Sequence, residues 1–384
     1  MNYIKILVGI LLFCMTCIQT IAQIEVKNKF GKGIKFLAED SSFSVKMNTR
    51  IQNRYDGYLT MSDDPSITDG KYADKMSVRR ARLNFSGYAW SPKLTYKIEY
   101  DMVNGQVLDA VVKWNFMGNF SLWGGQTKLP GNRERVLSSQ NLQFVDRSLL
   151  NSEYTIDRDK GLQLRHHFKV GKMVVREISS ISIGEGMNYT TLNPYSGYDW
   201  TQRIEVLPFG KFKGKGDYSA SDLMREETLK LALGVSYDYN DNAVREQGQR
   251  GDELSAKRDI TTLFIDMMLK FQGGSIMAEY ADKGTTQSAG ITDSNGSVFE
   301  TFRTGTGINL QLGYLLKSNW ELAGRFTQIT PEEITGKADI SAYTFGISRY
   351  IVGHSLKFQS DVSFVQTEGS DDVMEFRMQF ELGI

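Results

Sequence analysis

The stretch "VRRARLNFSGYAWSPKLTYKIEYD", residues 78–101, decides the fold class. Three arginines stand within four residues, yet every second position after them is apolar. One face would carry Ala81, Leu83 and Phe85, and the other would carry Arg80, Arg82 and Asn84. Successive side chains of a strand point to opposite faces, so this period predicts a strand with one apolar and one charged face. Arg79 falls on the apolar parity, and we expect it to bend away to a head group or a loop.

The same two-residue period recurs along the chain. "TLKLALGVSYDY" (residues 228–239) and "GINLQLGY" (residues 307–314) are further examples. The segments number about sixteen and are about nine to thirteen residues long, which is the length that a tilted membrane strand needs. We expect them to begin near residues 43, 78, 93, 109, 119, 160, 172, 198, 228, 259, 273, 304, 318, 339, 353 and 373. The sequence therefore predicts an all-β protein, a transmembrane antiparallel β-barrel of about 16 strands.

Connections between the predicted strands alternate between short and long. Short turns are expected at 90–92, 117–118, 170–171, 272–273, 317–318 and 352–353, and long loops at 56–77, 128–158, 241–258 and 282–303. Tight periplasmic turns and longer outer loops are typical of outer-membrane barrels. The connection 209–227 is long although it falls in a periplasmic position, and the sequence does not indicate its role.

Aromatic residues near the strand ends separate a membrane barrel from a soluble β-sandwich or β-solenoid, whose strands also alternate. We expect two interfacial girdles formed by Tyr55, Tyr88, Trp90, Tyr100, Trp114, Trp123, Tyr237, Tyr239, Tyr314 and Trp320. A soluble sandwich has strands of about five to six residues and needs no such girdles. The strand length and the aromatic positions favour the membrane barrel.

The N-terminus predicts export. Lys5 precedes an apolar run of about ten residues, and Ala22 is a small residue at a suitable cleavage position, so residues 1–22 are typical of a signal peptide. Residues 23–42 would form a short periplasmic lead, and residues 43–384 the barrel. A lipoprotein anchor at Cys14 or Cys17 is a weaker alternative, because small residues do not precede either cysteine. Export and a barrel together predict the outer membrane of a Gram-negative bacterium.

Composition excludes several functions. Lys+Arg and Asp+Glu are equal at 45 each, so no net positive charge indicates nucleic-acid binding. Both cysteines lie in the predicted signal, and no catalytic, nucleotide-binding or zinc motif is present. His166 and His167 would point to opposite faces of a strand, and "TDSNGS" (residues 292–297) is typical of a solvated loop rather than a calcium site. We expect no enzyme activity, no cofactor and no metal.

Several segments resemble the phosphate-selective porin O and P family. They are residues 78–101, "LWGGQTKLPGNRERVLSSQNLQFVDRSLL" (122–150), "RDKGLQLRHHF" (158–168), "RIEVLPFG" (203–210) and "LKLALGVSYDYND" (229–241). The resemblance implies a sixteen-stranded homotrimeric channel with one long loop folded into the pore, here residues 128–158. It also implies anion selectivity through arginines on the wall and lysines at the constriction. The signal ending in "AQ" resembles those of Bacteroidetes exported proteins.

Candidate anion contacts follow from the polar parity of the strands and from the loop. The wall candidates are Arg50, Arg54, Arg80, Arg82, Lys97, Lys113 and Arg165, and the loop candidates are Lys128, Arg133, Arg135, Arg147 and Arg158. Forked guanidinium donors match phosphate and carboxylate oxygens. Glu99, Asp101 and Asp109 lie on the same faces, so each cation could instead be a salt-bridged wall residue. Lys128 is the best match to a constriction lysine.

The sequence as a whole predicts a porin for passive diffusion of small hydrophilic solutes with an anion preference. A structural or adhesive barrel with a closed lumen is the alternative, and an outer-membrane lipase or protease is a remote one. The partners of the predicted porin would be small anions in transit, membrane lipid and lipopolysaccharide, two further copies in a homotrimer, and the barrel-insertion machinery.

Overall fold

The structure, a computed structural model, describes residues 25–61, 71–189 and 197–384; the predicted signal, residues 1–22, lies outside the described residues. The strands in chain order are β1 Glu25–Asn28, β2 Ile34–Leu37, β3 Phe43–Met61, β4 Tyr72–Ala89, β5 Ser91–Asp101, β6 Gln106–Met117, β7 Phe120–Lys128, β8 Arg158–Val170, β9 Met173–Ser182, β10 Asp199–Leu207, β11 Lys230–Arg245, β12 Glu253–Phe271, β13 Gly274–Thr285, β14 Gly290–Thr292, β15 Val298–Thr301, β16 Gly305–Leu315, β17 Trp320–Pro331, β18 Ile340–Val352, β19 Leu356–Thr367 and β20 Asp372–Gly383.

Sixteen of these strands, β3–β13 and β16–β20, form a closed antiparallel barrel. The last strand closes the barrel on the first, with register pairs from Gly383↔Arg50 to Asp372↔Met61. The predicted fold is confirmed. Closure satisfies every strand edge, which a sheet surrounded by lipid requires.

Alternating burial reproduces the predicted faces. On β11, Leu233, Val235 and Tyr237 are exposed on the outer surface, whereas Ser236 and Asp238 are buried inside. Most strands begin within about three residues of the predicted positions. The apolar set of each strand faces lipid because burying a polar side chain in hydrocarbon costs several kcal/mol.

Two predicted long loops are shorter than expected, and this is a correction. β3 continues to Met61 and β4 begins at Tyr72, which narrows the predicted loop 56–77. β11 continues to Arg245 and β12 begins at Glu253, which narrows 241–258 in the same way. The extensions mix polar residues with exposed apolar ones such as Leu59 and Met76, and their backbone groups pair across the hairpin, which prolongs the strands.

At the opposite end of the barrel the turns are tight, as predicted. Gly118 and Gly171 have φ of 51° and 60° there, and a Cβ at either position would meet open space. Glycine is therefore favoured by backbone conformation alone. The lead before the barrel contains β1 and β2, and β2 pairs with the first residues of β3.

A β-bulge explains the odd position of Arg79. Gln52 pairs with Arg80, but the next residue, Asn53, pairs with Val78, so Arg79 is the extra residue of β4. Bulges re-aim a side chain. Its guanidinium turns to Asp146 in the loop after β7, with Nη2 3.4 Å from Oδ2, so of the two destinations expected for Arg79 the loop is the one found.

The long loop after β7 folds into the barrel, as predicted. We call residues 129–157 the inward loop; it contains the short helices α1 Arg133–Val136 and α2 Leu149–Glu153. Leu150, Tyr154 and Ile156 of the inward loop pack on Phe264 of β12 and on further apolar residues inside the barrel. No helix among the described residues is long and apolar enough to cross a membrane.

The connection between β10 and β11, residues 208–229, enters the lumen from the tight-turn end of the barrel. We call it the inward segment. Phe212 and Ala220 of this segment pack with Leu137 of the inward loop and Met268 of β12. The Ala220 N–H donates to the Asn141 carbonyl at 3.0 Å, so the segment and the loop are in direct contact. Together they fill much of the lumen beside β9–β13, which explains why those inner faces carry apolar residues.

Candidate pore lining

Two cavities lie in the lumen between β3–β8 and the inward loop. The central cavity has a volume of about 280 Å³ and is lined by residues from β4 to β8 and by the inward loop. The turn-side cavity has a volume of about 220 Å³ and extends to Ser355 and Ile384 at the tight-turn end. Arg82, Lys97 and Glu99 line both cavities. The open part of the lumen therefore follows the wall that carries most of the predicted cations.

A chain of alternating charges crosses the wall between the two cavities. Arg82 Nη1 lies 2.9 Å from Glu99 Oε1, and Lys97 Nζ lies 2.6 Å from both Glu99 Oε2 and Asp109 Oδ2. Arg158 Nε continues the chain at 3.2 Å from Asp109 Oδ1. These cations are largely neutralised by neighbouring carboxylates, so each has less charge available for a solute than its position suggests.

Lys113 and Arg165 differ from the other wall cations because each contacts an aromatic ring that lies between the two. Lys113 Nζ lies 3.8 Å from the centre of the Trp123 ring, and the Arg165 guanidinium carbon lies 3.7 Å from the same centre. The two cations approach Trp123 from β6 and from β8, the strands on either side of β7. Among the described residues neither cation forms an ion pair with a carboxylate. A ring attracts cations without cancelling their charge.

The inner position of Trp123 corrects the prediction that it belongs to a lipid-facing girdle. Trp123 pairs in register with Lys113, whose side chain lines the central cavity, and so it faces the lumen too. The alternating pattern of β7 is short, and an amphipathic aromatic ring is compatible with either face.

Asp146 of the inward loop forms ion pairs with three arginines of the wall. Arg54 Nη1 lies 2.5 Å from Asp146 Oδ2, and Nη2 of Arg79 and Nη2 of Arg80 lie 3.4 and 3.5 Å from the carboxylate oxygens. Burial alone would raise the pKa of Asp146, but the guanidiniums of Arg80, Arg79 and Arg54 hold it well below its usual range. The cluster fastens the loop to β3 and β4.

Three further candidates bond mainly to neutral oxygens. Lys128 Nζ donates to the carbonyls of Arg135 and Leu137 at 2.6 and 2.7 Å. Arg147 donates to the carbonyls of Glu134 and Leu137, both at 3.0 Å. Arg50 Nη2 donates to Ser139 Oγ at 2.8 Å, and its Nη1 lies 3.7 Å from Glu381. Lys128 and Arg50 also line a cavity, whereas Arg147 stabilises the loop backbone.

Arg133 and Arg135 differ from the prediction that they line the pore. Arg133 is fully buried, with Nε 2.7 Å from Asp266 Oδ1 and Nη2 3.4 Å from Glu205 Oε1. Arg135 pairs with Asp157 inside the same loop. The sequence could not reveal these partners, because Asp266 and Glu205 lie far along the chain from the inward loop. Both arginines hold the loop in the filled part of the lumen.

The cavities thus receive seven of the twelve predicted cations: Arg50, Arg82, Lys97, Lys113, Lys128, Arg158 and Arg165. Arg54, Arg80, Arg133, Arg135 and Arg147 line neither cavity. Arg203 and Tyr218 contribute to the central cavity and were not predicted. Arg203 lies on the polar parity of β10 and could have been found from the alternation, whereas Tyr218 belongs to the aperiodic inward segment.

Residues 45–182 match the family model of phosphate-selective porins O and P. The expected resemblance to this family is confirmed over those residues. All twelve predicted cations and the whole inward loop fall within the matched span. The fold and the family match both imply the outer membrane and support a porin.

Other proteins are similar to this chain in sequence or fold, at low sequence identity. An uncharacterized protein of Aquifex aeolicus (strain VF5) is 22% identical over 334 residues, covering 79% of this chain and 75% of that protein. The outer membrane channel DcaP of Acinetobacter baumannii has a TM-score of 0.54 at 12% identity, over 90% of this chain and 99% of that one.

Two further solved structures have similar barrels. The anion-selective porin from Comamonas acidovorans has a TM-score of 0.54 at 10% identity, over 89% of this chain and 100% of that one. The outer membrane protein OmpT of Vibrio cholerae in its trimer form has a TM-score of 0.51 at 10% identity, over 89% of this chain and 100% of that one. The TM-scores establish a shared fold, and at identities this low the similarity shows the fold alone.

Proposed function

We propose that this protein is an outer-membrane porin for passive diffusion of small hydrophilic solutes, with a preference for anions such as phosphate. The observation that carries the anion preference is the pair Lys113 and Arg165. Both line the central cavity, and the Trp123 ring contacts them in place of a carboxylate. Their positive charge is therefore available to a permeating ion.

The arrangement suits stepwise passage. An anion in the central cavity meets Arg158, Lys113 and Arg165, and an anion in the turn-side cavity meets Arg82 and Arg50. Conduction requires sites that attract the ion without retaining it. Asp109 and Glu99 share the charge of Arg158, Lys97 and Arg82, so these positions would bind an anion only weakly and would release it.

The experiment is single-channel recording of the purified protein in a planar bilayer. We expect conductance, and in asymmetric potassium chloride a reversal potential of the sign that anion flow produces. Adding phosphate on one side should reduce the chloride current because both ions use the same cations. Absence of any conductance above background would contradict the porin, whereas a current carried mainly by cations would contradict only the anion preference.

A structural or adhesive barrel with a closed lumen remains the second candidate. It is favoured by one observation: the inward loop and the inward segment meet inside the barrel, where Asn141 Nδ2 donates to the Tyr218 carbonyl at 3.1 Å. The two candidates differ in the bilayer experiment, because a closed barrel would insert without conducting.

We further propose that the chain acts as a homotrimer in contact with membrane lipid and lipopolysaccharide. The fold it shares with OmpT, which has been solved in a trimer form, supports this assembly. Chemical cross-linking in mild detergent should yield a species of three chains that heating converts to one. Insertion would require the cell's barrel-assembly machinery.

A further inference from the structure

Away from both cavities, two carboxylates face each other on the inner wall of the barrel. Asp199 lies on β10 and Asp238 on β11, and their exposed fractions are 0% and 1%. Asp199 pairs in register with Asn240, and Thr201 pairs with Asp238, so the four side chains form one block on the lumen face. The carboxyl groups of Asp199 and Asp238 lie within hydrogen-bonding distance of each other. Two carboxylates so placed require a proton or a cation between them.

The hydrogen-bond donors around this pair leave one carboxylate oxygen without a hydrogen bond. Asp199 Oδ2 accepts from Gln249 Nε2 at 2.7 Å and from Ser182 Oγ at 3.2 Å. Asp238 Oδ1 accepts from Thr201 Oγ1 at 2.9 Å. Asp199 Oδ1 is buried and has no hydrogen-bond donor among the described residues.

Neighbouring neutral oxygens are also unpaired. The Asn240 side chain is 1% exposed, and its orientation is fixed because Nδ2 donates to the Gly184 carbonyl at 2.8 Å. Its Oδ1 is buried and has no partner among the described residues, and the same holds for Oγ1 of Thr262, which pairs in register with Asp238. A shared proton would satisfy one pair of carboxylate oxygens and leave Asn240 Oδ1 unpaired. A cation between the carboxylates would offer these oxygens a partner as well, since Asn240 lies opposite Asp199 and Thr262 lies opposite Asp238 in the strand register.

Nearby cations offset the charge of the pair only in part. Lys283, which pairs in register with Thr262, acts electrostatically on both carboxylates, but its Nζ donates to the Gln247 carbonyl at 2.7 Å and forms no ion pair with a carboxylate within the described part of the chain. Asp159 on β8 adds a third negative charge to the surroundings, partly offset by Lys160 at 3.7 Å. The block therefore keeps an excess of negative charge.

We propose that Asp199, Asp238 and Asn240 bind a calcium ion, with the Thr262 hydroxyl as a further oxygen ligand. Calcium accepts carboxylate, amide and hydroxyl oxygens in irregular geometry, and two carboxylates balance its charge. Among the described residues no three His, Cys, Asp or Glu side chains form a metal-binding group, which argues against the ligand sets typical of zinc. The proposal does not depend on conduction, since the block lies outside both cavities.

Calcium here would link three strands to two outer loops. Asn240 Nδ2 contacts Gly184 in the connection between β9 and β10, and Gln249, in the connection between β11 and β12, contacts Asp199. An ion held between β10 and β11 would keep both loops in place over the wall. We therefore expect bound calcium to raise the temperature at which the barrel unfolds. On a detergent gel, unfolding is seen as a change from the mobility of the folded barrel to that of the unfolded chain.

The test is isothermal titration of calcium chloride into the full-length protein in detergent after removal of metal with EDTA. We expect one calcium ion per chain with a dissociation constant on the order of 10⁻⁴–10⁻³ M. Asp238→Asn should weaken binding at least tenfold. Asn240→Leu, which removes a neutral oxygen and leaves the charges intact, should also weaken it and serves if the first variant fails to fold.

Asp293→Asn is the matched control, because Asp293 is an exposed acid in the predicted solvated turn at 292–297. It should bind calcium as the native chain does. Absence of saturable binding by the native chain would overturn the proposal, as would binding that Asp293→Asn abolishes and Asp238→Asn preserves. An EDTA-treated native protein with unchanged thermal mobility and no calcium uptake would indicate a shared proton instead.

Discussion

At the residue scale, the decisive difference among the cations is the nature of the partner. Arg82, Lys97 and Arg158 contact carboxylates, whereas Lys113 and Arg165 contact the Trp123 ring. A carboxylate cancels the charge that a solute would sense, and a ring positions the cation without cancelling it. For the proposed anion preference, we therefore expect a few residues to matter more than the total number of arginines.

Replacing the ring tests this positioning. Trp123→Leu retains both cations but removes a contact worth about 0.5–2 kcal/mol for each. We expect a reversal potential with a smaller anion component and a noisier current, measured in asymmetric potassium chloride. Trp123→Phe keeps an aromatic face and should remain close to the native value. Equal effects of the two substitutions would show that the ring does not position the cations.

Asp146 illustrates the opposite case, a charge that holds structure. Its pKa is depressed in the fold, so its stabilising effect is fully present above the ordinary aspartate pKa of about 3.9 and is lost as the pH falls through the lower folded value. Between pH 8 and pH 5 we expect no release of the inward loop from this group. Asp146→Asn should release it at neutral pH, because removing the partner of buried arginines costs about 3 kcal/mol. Single-channel noise as a function of pH measures both effects, and noise that rises between pH 8 and pH 5 in the native chain would contradict the assignment.

At the element scale, two chain segments from opposite ends of the barrel define the open lumen. The inward segment is fastened by Lys270, whose buried Nζ donates to the carbonyls of Gly216, Ser219 and Ser221 at 2.8, 2.8 and 2.7 Å. Few side chains could satisfy three carbonyls at once, so this lysine acts as the main attachment of the segment to β12.

Lys270→Met should therefore release the inward segment. The substitution leaves three carbonyls without their donor, at about 1–3 kcal/mol for each one that stays buried. We expect a larger mean conductance and new cleavage within 208–229 by added protease. Lys230→Met is the control, because Lys230 Nζ donates to the Phe209 carbonyl in an exposed part of the segment. Protease resistance equal to that of the native chain would show that other contacts hold the segment.

Much of the barrel could be predicted from alternation, and much of its interior could not. The period of "TLKLALGVSYDY" predicts β11 and its outer face because lipid imposes one strict rule on every spanning strand. Contacts inside the lumen follow no period. The burial of Arg133 depends on Glu205 and Asp266, and the position of Tyr218 depends on the fold of the inward segment. Such pairs are set by three-dimensional closure, which a local pattern does not encode.

At the scale of the whole molecule, the barrel is divided into a filled side and an open side. The inward loop and segment pack on β9–β13, and the loop also contacts β17–β19, while most of the lining of the two cavities comes from β3–β8. The equal numbers of acidic and basic residues in the chain therefore say little about ion preference, because many of the ion pairs, such as Arg133–Asp266 and Arg377–Asp361, lie outside both cavities. In the proposed porin we expect the local charge of the central cavity to determine the preference.

The most direct test is the reversal potential of the double variant Lys113→Gln and Arg165→Gln in asymmetric potassium chloride, with Lys317→Gln in an exposed turn as the control for charge removal. We expect an anion-selective native channel, an unchanged control, and a double variant whose reversal potential moves at least halfway to zero while the conductance persists. A double variant with native selectivity would contradict the assignment of anion preference to this pair.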